Sequence, residues 1–281
     1  MLFSAQGPTE TGTFVLPDST ALFTQRWSPK APRAHVLLVH GYAEHSGRYG
    51  HVATALMKQG MAVHAYDQRG FGRSPGRRAI VWDLLTLADD LQAYLSHLQR
   101  SYSGPWLVLA HSMGGLVAVH AALRHDLSLR GMVLSGPALS TGVAVPSVLF
   151  PIARCIGRWM PGLPTVGAVE NGISRDPAVV AEADTDPLNH NGRVPARTGA
   201  EIIEAARTAQ QQAPHFTLPY LIVHGQADTI VPTSGSARFH EHTASLDKQR
   251  IAYDGLRHEV LNEPERDLVL ADIQQWIDER V

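Results

Sequence analysis

The stretch Trp106-Leu107-Val108-Leu109-Ala110-His111-Ser112-Met113-Gly114-Gly115-Leu116 joins an apolar run, typical of a buried strand, to a helical pattern. The small residues between the two predict a sharp turn with Ser112 at its tip. A serine on such a turn projects its hydroxyl from the carboxyl edge of a sheet, and the N–H of Met113 stays free to bind an oxyanion. Taken alone, Ser112 would also suit the start of an ordinary helix, so a nucleophile needs partners elsewhere in the chain.

Short apolar runs recur along the chain, and several lack the alternation of a half-exposed strand, as expected of parallel strands covered on both faces. These runs are residues 34–40, 61–66, 106–110, 132–135, 220–224 and 250–253. Helical patterns stand between and after them, as at 84–98 and 269–277. Two earlier runs, 13–16 and 22–27, have no helix between them and predict an antiparallel hairpin at the sheet edge. The predicted fold class is α/β, with a mostly parallel central sheet flanked by helices.

One segment, residues 137–218, breaks this alternation. It has no clear strand and carries prolines at positions 146, 151, 161, 164, 177, 187, 195 and 214. Most connections in compact domains run about 4–6 residues, so this segment is too long for a simple crossover. We predict an inserted helical cap at 137–218, between a first core part at 1–136 and a second at 219–281.

Composition excludes several classes of function. The chain has 281 residues, is 44% hydrophobic, and has a net charge of -2 with its basic residues spread out, so no nucleic-acid partner is expected. The single cysteine, Cys155, excludes an internal disulfide framework and a cysteine-rich zinc site. The N-terminus has no charged leader, and nowhere do about 18 apolar residues run uninterrupted. We expect a cytoplasmic protein that could touch a membrane peripherally.

A serine nucleophile requires a histidine to take its proton and a carboxylate to orient that histidine. Asp228 lies just past the apolar run at 220–224, and His258 lies just past the run at 250–253. All three side chains therefore fall at the carboxyl ends of strands, where open α/β sheets place their sites. The chain order also fits, so we predict Ser112 as nucleophile, Asp228 as orienting acid and His258 as base.

The loop after the third strand, residues 40–49, is where this kind of site takes its second oxyanion donor. Gly41 permits a sharp turn, so that the N–H of Tyr42 would point at the same oxygen as the N–H of Met113. Glu44 and Arg48 of this loop either help to form the alcohol-binding end of the site or only brace the loop.

At these residues the chain resembles the α/β-hydrolase superfamily and, within it, the monoacylglycerol lipase and lysophospholipase group of serine hydrolases. The blocks that carry the resemblance are 40–49, 67–74, the Ser112 turn, 224–232 and 258–259. The resemblance implies an α/β-hydrolase fold and a carboxylic-ester hydrolase that works through an acyl-enzyme. Its small-molecule substrate would be a monoacylglycerol or a similar single-chain acyl ester, and no cofactor is implied.

Two alanines depart from the family pattern. Ala110 stands two residues before the nucleophile, where the family usually has glycine, and we expect its one extra methyl to be tolerated. Ala43 stands where many relatives have a second glycine, so we expect it to affect the oxyanion loop more.

Alternative functions fit parts of the pattern. An aminopeptidase of the same superfamily would need an acidic pocket, which the cap acids Glu170, Asp176, Glu182, Asp184 and Asp186 could supply. An acyltransferase or a non-catalytic ligand-binding protein of the same fold are further alternatives, and the oligomeric state stays open. His240 and His242 are two residues apart on a predicted helix and do not share a face, so no metal site is expected. His40, His111 and His224 are predicted to be structural.

The cap contains apolar residues at three- and four-residue steps over 145–159, with Arg154 and Arg158 on the opposite side. This apolar face either packs on the main domain or lines an acyl tunnel above Ser112 and transiently touches a lipid surface. In the second case Leu149 and Ile152 are substrate-binding residues.

Overall fold

The computed structural model describes residues 6–140, 157–165 and 172–281, and a sheet of eight strands forms the centre of this part of the chain. The strand order across the sheet is β1-β2-β4-β3-β5-β6-β7-β8. The strands are Glu10–Val15 (β1), Ala21–Trp27 (β2), Ala34–Val39 (β3), Met61–Tyr66 (β4), Trp106–His111 (β5), Gly131–Ser135 (β6), Tyr220–Gly225 (β7) and Lys248–Tyr253 (β8).

Strands β3 to β8 run parallel, whereas β1 and β2 form an antiparallel hairpin at one edge. Every residue of β3 to β7 is buried, which explains why their sequences are continuous apolar runs. The six predicted strands and the edge hairpin are thereby confirmed, and their ends differ from the predictions by at most three residues. The fold is the α/β-hydrolase fold.

Helices cover both faces of the sheet. They are Gly50–Lys58 (α1), Leu84–Ser101 (α2), Met113–Arg124 (α3), Pro177–Thr185 (α4), Ala196–Gln212 (α5), Thr233–His242 (α6) and Arg266–Asp278 (α7). Successive side chains of a strand point to opposite faces, so Leu37 packs in the apolar cluster under α2 and α3, and Leu38 packs in the cluster under α1 and α7. None of the described helices is long and apolar enough to cross a membrane.

Helix α5 lies within the predicted insertion 137–218 but packs on the main domain. Its residues Ala205 and Ala209 are buried in the cluster that also contains Leu116 of α3. His120 Nε2 of α3 lies 2.9 Å from the carbonyl oxygen of Ala205. The end of the insertion therefore contributes directly to the helical layer that covers the sheet. Leu149 and Ile152 lie outside the described residues.

Candidate active site

Ser112 occupies the turn between β5 and α3 in a conformation that costs energy. Its φ is 52° and its ψ is -118°, a region that residues with a side chain rarely adopt, at a cost of about 1–3 kcal/mol. Backbone hydrogen bonds hold the turn in place. The N–H of Ser112 donates to the Ser135 carbonyl at 2.9 Å, and the Ser112 carbonyl accepts from Ala138 at 3.0 Å and from Leu116 at 3.2 Å. The neighbouring strand therefore supports the strained turn.

The glycines after Ser112 allow α3 to approach the sheet closely. A Cβ atom on Gly114 would lie 2.4 Å from the His40 carbonyl oxygen and 2.5 Å from that of Val39, which no side chain could tolerate. A Cβ atom on Gly115 would lie 2.9 Å from Cβ of Pro137. Ala110 is fully buried in β5, where the apolar cluster accommodates its methyl group.

The three side chains predicted as a triad meet at the carboxyl edge of the sheet. His258 Nε2 lies 2.9 Å from Ser112 Oγ, and His258 Nδ1 lies 2.7 Å from Asp228 Oδ2. An ionised carboxylate can only accept hydrogen bonds, so Nδ1 carries the proton and Nε2 is left to accept from the Ser112 hydroxyl. This is the arrangement in which a histidine can take a proton from serine.

Asp228 is held by four donors. The N–H groups of Ile230 and Val231 donate to Oδ1, each at 2.8 Å, while His258 and His224 contact Oδ2. Burial alone would raise the pKa of Asp228, but the hydrogen bonds from His224 and His258 outweigh burial and lower that pKa. The carboxylate therefore stays ionised at neutral pH and keeps a fixed direction.

His224 is a residue that sequence reasoning treated only as structural packing. His224 stands four residues before Asp228 in the chain, and its Nε2 lies 2.9 Å from Asp228 Oδ2. The signal in the sequence was its position near the end of β7, the strand that leads directly to the acid.

His111, directly before Ser112, lies beside the base without competing for its proton. Its Nδ1 lies 3.0 Å from the Ser135 carbonyl, and its ring centroid lies 4.8 Å from that of His258. Burial and, to a lesser extent, the neighbouring His258 lower the pKa of His111 to about 4. His111 is therefore neutral when His258 takes up a proton, and it adds no repulsive charge.

The loop after β3 runs against Ser112. A Cβ atom on Gly41 would lie 2.9 Å from Glu44 Oε1 and 3.2 Å from Cβ of Ser112, so a side chain at position 41 would crowd both neighbours. Neither the N–H of Tyr42 nor that of Met113 has a hydrogen-bond partner among the described residues. Met113 begins α3, where backbone N–H groups lack partners within the helix and the helix dipole favours negative charge. Ala43 has a φ of 67°, which an alanine adopts only at a cost.

Glu44 and Arg48 form a buried ionic network under this loop. Glu44 Oε1 accepts from the Gly41 N–H and from the Tyr49 hydroxyl, both at 2.6 Å. Arg48 donates to Glu44 Oε2 at 2.9 Å and to both oxygens of Glu259 at 2.8 Å. Burial alone would raise the pKa of Glu259, but the charge of Arg48 and its hydrogen bonds outweigh burial and lower that pKa. Both Glu44 oxygens are thus occupied, which favours bracing of the loop over contact with an alcohol.

The cap acids that could hold a substrate amine are scattered. Asp186 and Glu182 line a cavity of about 220 Å³ whose lining includes Arg48 but none of the three triad residues. The side chain of Asp176 accepts the N–H of Ala178 at the start of α4, and Asp184 is exposed. Glu170 lies outside the described residues.

The two histidines of α6 have separate partners. His240 Nδ1 lies 3.2 Å from the Tyr220 hydroxyl, and His242 Nδ1 lies 2.7 Å from the Arg238 carbonyl oxygen. Over residues 6–140, 157–165 and 172–281, no group of three or more His, Cys, Asp or Glu side chains could hold a metal ion.

Known proteins are similar to this chain over most of its length. Residues 30–265 match the family described as serine aminopeptidase, S33 (Hydrolase_4). The chain is 40% identical over 253 residues to a monoacylglycerol lipase of Mycolicibacterium smegmatis. The aligned region covers 89% of this chain and 90% of the relative. The chain is also 30% identical over 269 residues to the monoglyceride lipase of Homo sapiens. That aligned region covers 94% of this chain and 88% of the relative.

A solved structure is similar over nearly the whole chain. The crystal structure of the Paleococcus ferrophilus monoacylglycerol lipase superposes with a TM-score of 0.83 at 30% sequence identity, over 92% of this chain and 99% of that one.

Proposed function

The chain belongs to the serine aminopeptidase, S33 (Hydrolase_4) family of α/β-hydrolases, and on that premise we propose that it hydrolyses the ester bond of monoacylglycerols through an acyl-enzyme on Ser112. The observation that carries the proposal is the continuous hydrogen-bonded line from Ser112 Oγ through His258 to Asp228, at 2.9 Å and 2.7 Å. The named relatives support the substrate class, because all three are monoacylglycerol or monoglyceride lipases at 30% identity or more.

Acylation begins when His258 Nε2 takes the proton of Ser112 as Oγ attacks the ester carbonyl carbon. The carbonyl oxygen becomes an oxyanion and accepts hydrogen bonds from the N–H groups of Tyr42 and Met113. Asp228, ionised and fixed, stabilises the imidazolium of His258. The tetrahedral intermediate collapses, the ester C–O bond breaks, and His258 returns the proton to the departing glycerol oxygen.

Deacylation repeats the same steps with water as the nucleophile. His258 takes a proton from water, the hydroxide adds to the acyl carbon, and the C–Oγ bond breaks. His258 then returns the proton to Ser112, and the fatty acid leaves. Two oriented amides are worth several kcal/mol to this reaction, since removal of one donor from a comparable site costs about 2.7–4 kcal/mol.

The remaining residues have supporting roles in this proposal. Glu44 and Arg48 brace the oxyanion loop from below rather than touch the alcohol. The insertion 137–218 forms a cap over the two core parts, and its apolar residues Leu149 and Ile152 contact the acyl chain. The support for those two contacts is the helical spacing of the sequence.

A group of exposed apolar side chains, three from the insertion and one from the first core part, is suited to transient contact with a lipid surface from the cytoplasm. The group consists of Trp82, Trp159, Met160 and Leu163, of which Trp159 is 78% exposed. Two of them lie against the start of α5, where Ala196 donates its N–H to the Leu163 carbonyl and Arg197 Nε donates to the Trp82 carbonyl. Exposed apolar side chains together with a nearby cation are typical of peripheral membrane contact. Trp159→Glu should reduce co-flotation with anionic vesicles, and unchanged flotation would contradict this contact.

The proposed function is tested with a substrate panel and one control variant. The protein should hydrolyse monoacylglycerols faster than triacylglycerols, and Ser112→Ala should abolish both turnover and covalent labelling by a fluorophosphonate. An aminoacyl p-nitroanilide cleaved in preference to any ester would favour the aminopeptidase alternative. Alcoholysis products formed in competition with water would favour an acyltransferase. A folded protein that a fluorophosphonate does not label would overturn the acyl-enzyme mechanism.

A further inference from the structure

A short turn of the cap, residues 186–190, contacts the oxyanion loop at three points. The backbone N–H of His190 donates to the carbonyl of Ala43 at 2.9 Å. His45 Nε2 lies 2.8 Å from Asp186 Oδ2. The rings of Tyr42 and His190 meet edge to face, with centroids 6.3 Å apart. The cap turn therefore contacts Tyr42, Ala43 and His45 of the loop.

The contact between His45 and Asp186 has a defined direction. The N–H of Gly47 donates to His45 Nδ1 at 3.1 Å, so the proton of the neutral ring is on Nε2 and is donated to the carboxylate. Burial alone would raise the pKa of Asp186, but the hydrogen bonds from His45 and from the Leu188 N–H, together with nearby charge, outweigh burial and lower that pKa. The other oxygen of Asp186 accepts the N–H of Leu188 at 2.8 Å. One carboxylate thus fixes the shape of the cap turn and attaches the turn to the loop.

These contacts act on a backbone that needs support. Ala43 has a φ of 67°, a conformation that an alanine leaves readily when nothing holds it. On the near side of Tyr42, Glu44 Oε1 accepts the N–H of Gly41 at 2.6 Å. On the far side, His190 holds the Ala43 carbonyl. The Tyr42 N–H therefore belongs to a peptide group that lies between two anchored peptide groups, one attached to the core and the other to the cap.

We infer that Asp186 and His190 are positioning residues, which hold the strained oxyanion loop so that the Tyr42 N–H is aimed at the developing oxyanion. This inference rests on the proposed function. It makes the oxyanion hole complete only while the cap turn is seated on the loop. The cap then serves the chemical step as well as the binding of substrate.

The test is Asp186→Ala, measured with a short, water-soluble p-nitrophenyl ester. An oxyanion contact forms only in the transition state, so kcat should fall about tenfold while KM stays within about twofold. Asp184→Ala is the matched control, because it removes an exposed carboxylate from the end of α4, two residues before Asp186, and it should match the wild type. A thermal melt of each variant establishes that it is folded at the assay temperature.

A rescue variant separates positioning from general loss of structure. Glycine adopts the left-handed conformation without cost, so Ala43→Gly added to Asp186→Ala should recover kcat at least threefold. The recovery is measured against Ala43→Gly alone, which is the reference for the double variant. A raised KM with unchanged kcat in Asp186→Ala would overturn the inference, and so would the absence of rescue in folded protein.

The soluble ester keeps this inference separate from the proposed function. Hydrolysis of the p-nitrophenyl ester without hydrolysis of monoacylglycerols would overturn the proposed substrate, and the kcat loss and its rescue would still support the role of the cap turn. Hydrolysis that persists in Ser112→Ala would overturn the proposed chemistry itself.

Discussion

His224 Nε2 lies 2.9 Å from Asp228 Oδ2, the same oxygen that accepts the hydrogen bond from His258 Nδ1. On its other side, His224 Nδ1 lies 2.5 Å from the Ser236 hydroxyl, so the ring joins the acid to the start of α6. Because the ionised acid can only accept, Nε2 carries the proton and Nδ1 accepts from Ser236. The orienting acid therefore has two histidine partners with different tasks, one of which takes part in proton transfer.

Removal of the second partner should weaken catalysis without abolishing it. In His224→Leu the Asp228 carboxylate loses one of four donors, its pKa rises, and it can rotate away from His258. We expect kcat/KM at pH 8 to fall about tenfold, which corresponds to about 1.4 kcal/mol of transition-state stabilisation. The matched control is His215→Leu, an exposed histidine that should have no effect. An unchanged kcat/KM in His224→Leu would show that two backbone amides suffice to orient the acid.

The strain at Ser112 should be measurable as stability. Ser112→Gly and Ser112→Ala both remove the nucleophile, but only glycine relieves the φ of 52°. We expect the free energy of unfolding of the glycine variant to exceed that of the alanine variant by about 1–2 kcal/mol, as chemical denaturation would measure. Equal stabilities of the two variants would mean that the turn stores no strain.

The network beneath the oxyanion loop should contribute strongly to stability. Arg48→Met leaves the buried carboxylates of Glu44 and Glu259 without their shared cation, and such a loss typically costs about 3–5 kcal/mol. Arg207→Met serves as the control, since that arginine is half exposed in its contact with Glu204 and should cost below about 1 kcal/mol. Urea denaturation of both variants checks the difference, and similar costs would contradict a buried network.

A buried histidine pair should make the fold sensitive to acid. His35 Nδ1 lies 3.1 Å from His64 Nε2, and the His35 ring stacks on Trp106 with centroids 4.6 Å apart. Burial is the main cause that lowers the pKa of both histidines, and with His35 as neighbour it lowers that of His64 to about 3. Below about pH 6.5 these histidines bind protons in the unfolded chain but not in the folded protein. The free energy of unfolding therefore falls as pH falls.

The variant His64→Gln should flatten this dependence. Each such histidine contributes a slope of up to about 1.4 kcal/mol per pH unit between about pH 6.5 and its lowered pKa. Denaturation midpoints measured from pH 7 to pH 4 should therefore converge for wild type and variant at the acid end. Parallel curves over that range would show that His64 takes up its proton in the folded state.

The sheet was predictable because its central strands are buried on both faces and therefore consist of continuous apolar runs, as in 61–66. Ser112, Asp228 and His258 could be placed because each follows such a run directly. Bracing of the loop by Glu44 and Arg48 was one of two alternatives that the sequence left open. The part of Glu259 could not be foreseen, because Glu259 is far from the loop in sequence and only the folded chain brings the two together. The same holds for the cap turn at 186–190, whose contacts with Ala43 and His45 join segments with no shared pattern.

Helix α5 determines where the cap could be exchanged between relatives. Its buried alanines pack against α3, the helix that begins directly after Ser112. A chimaera that replaced all of 137–218 would therefore remove packing contacts from the helix that follows the nucleophile. A crossover point at residue 195, just before α5, would leave that layer intact. Segments grafted there would alter the part of the molecule that we propose covers the site and leave the scaffold under the nucleophile unchanged.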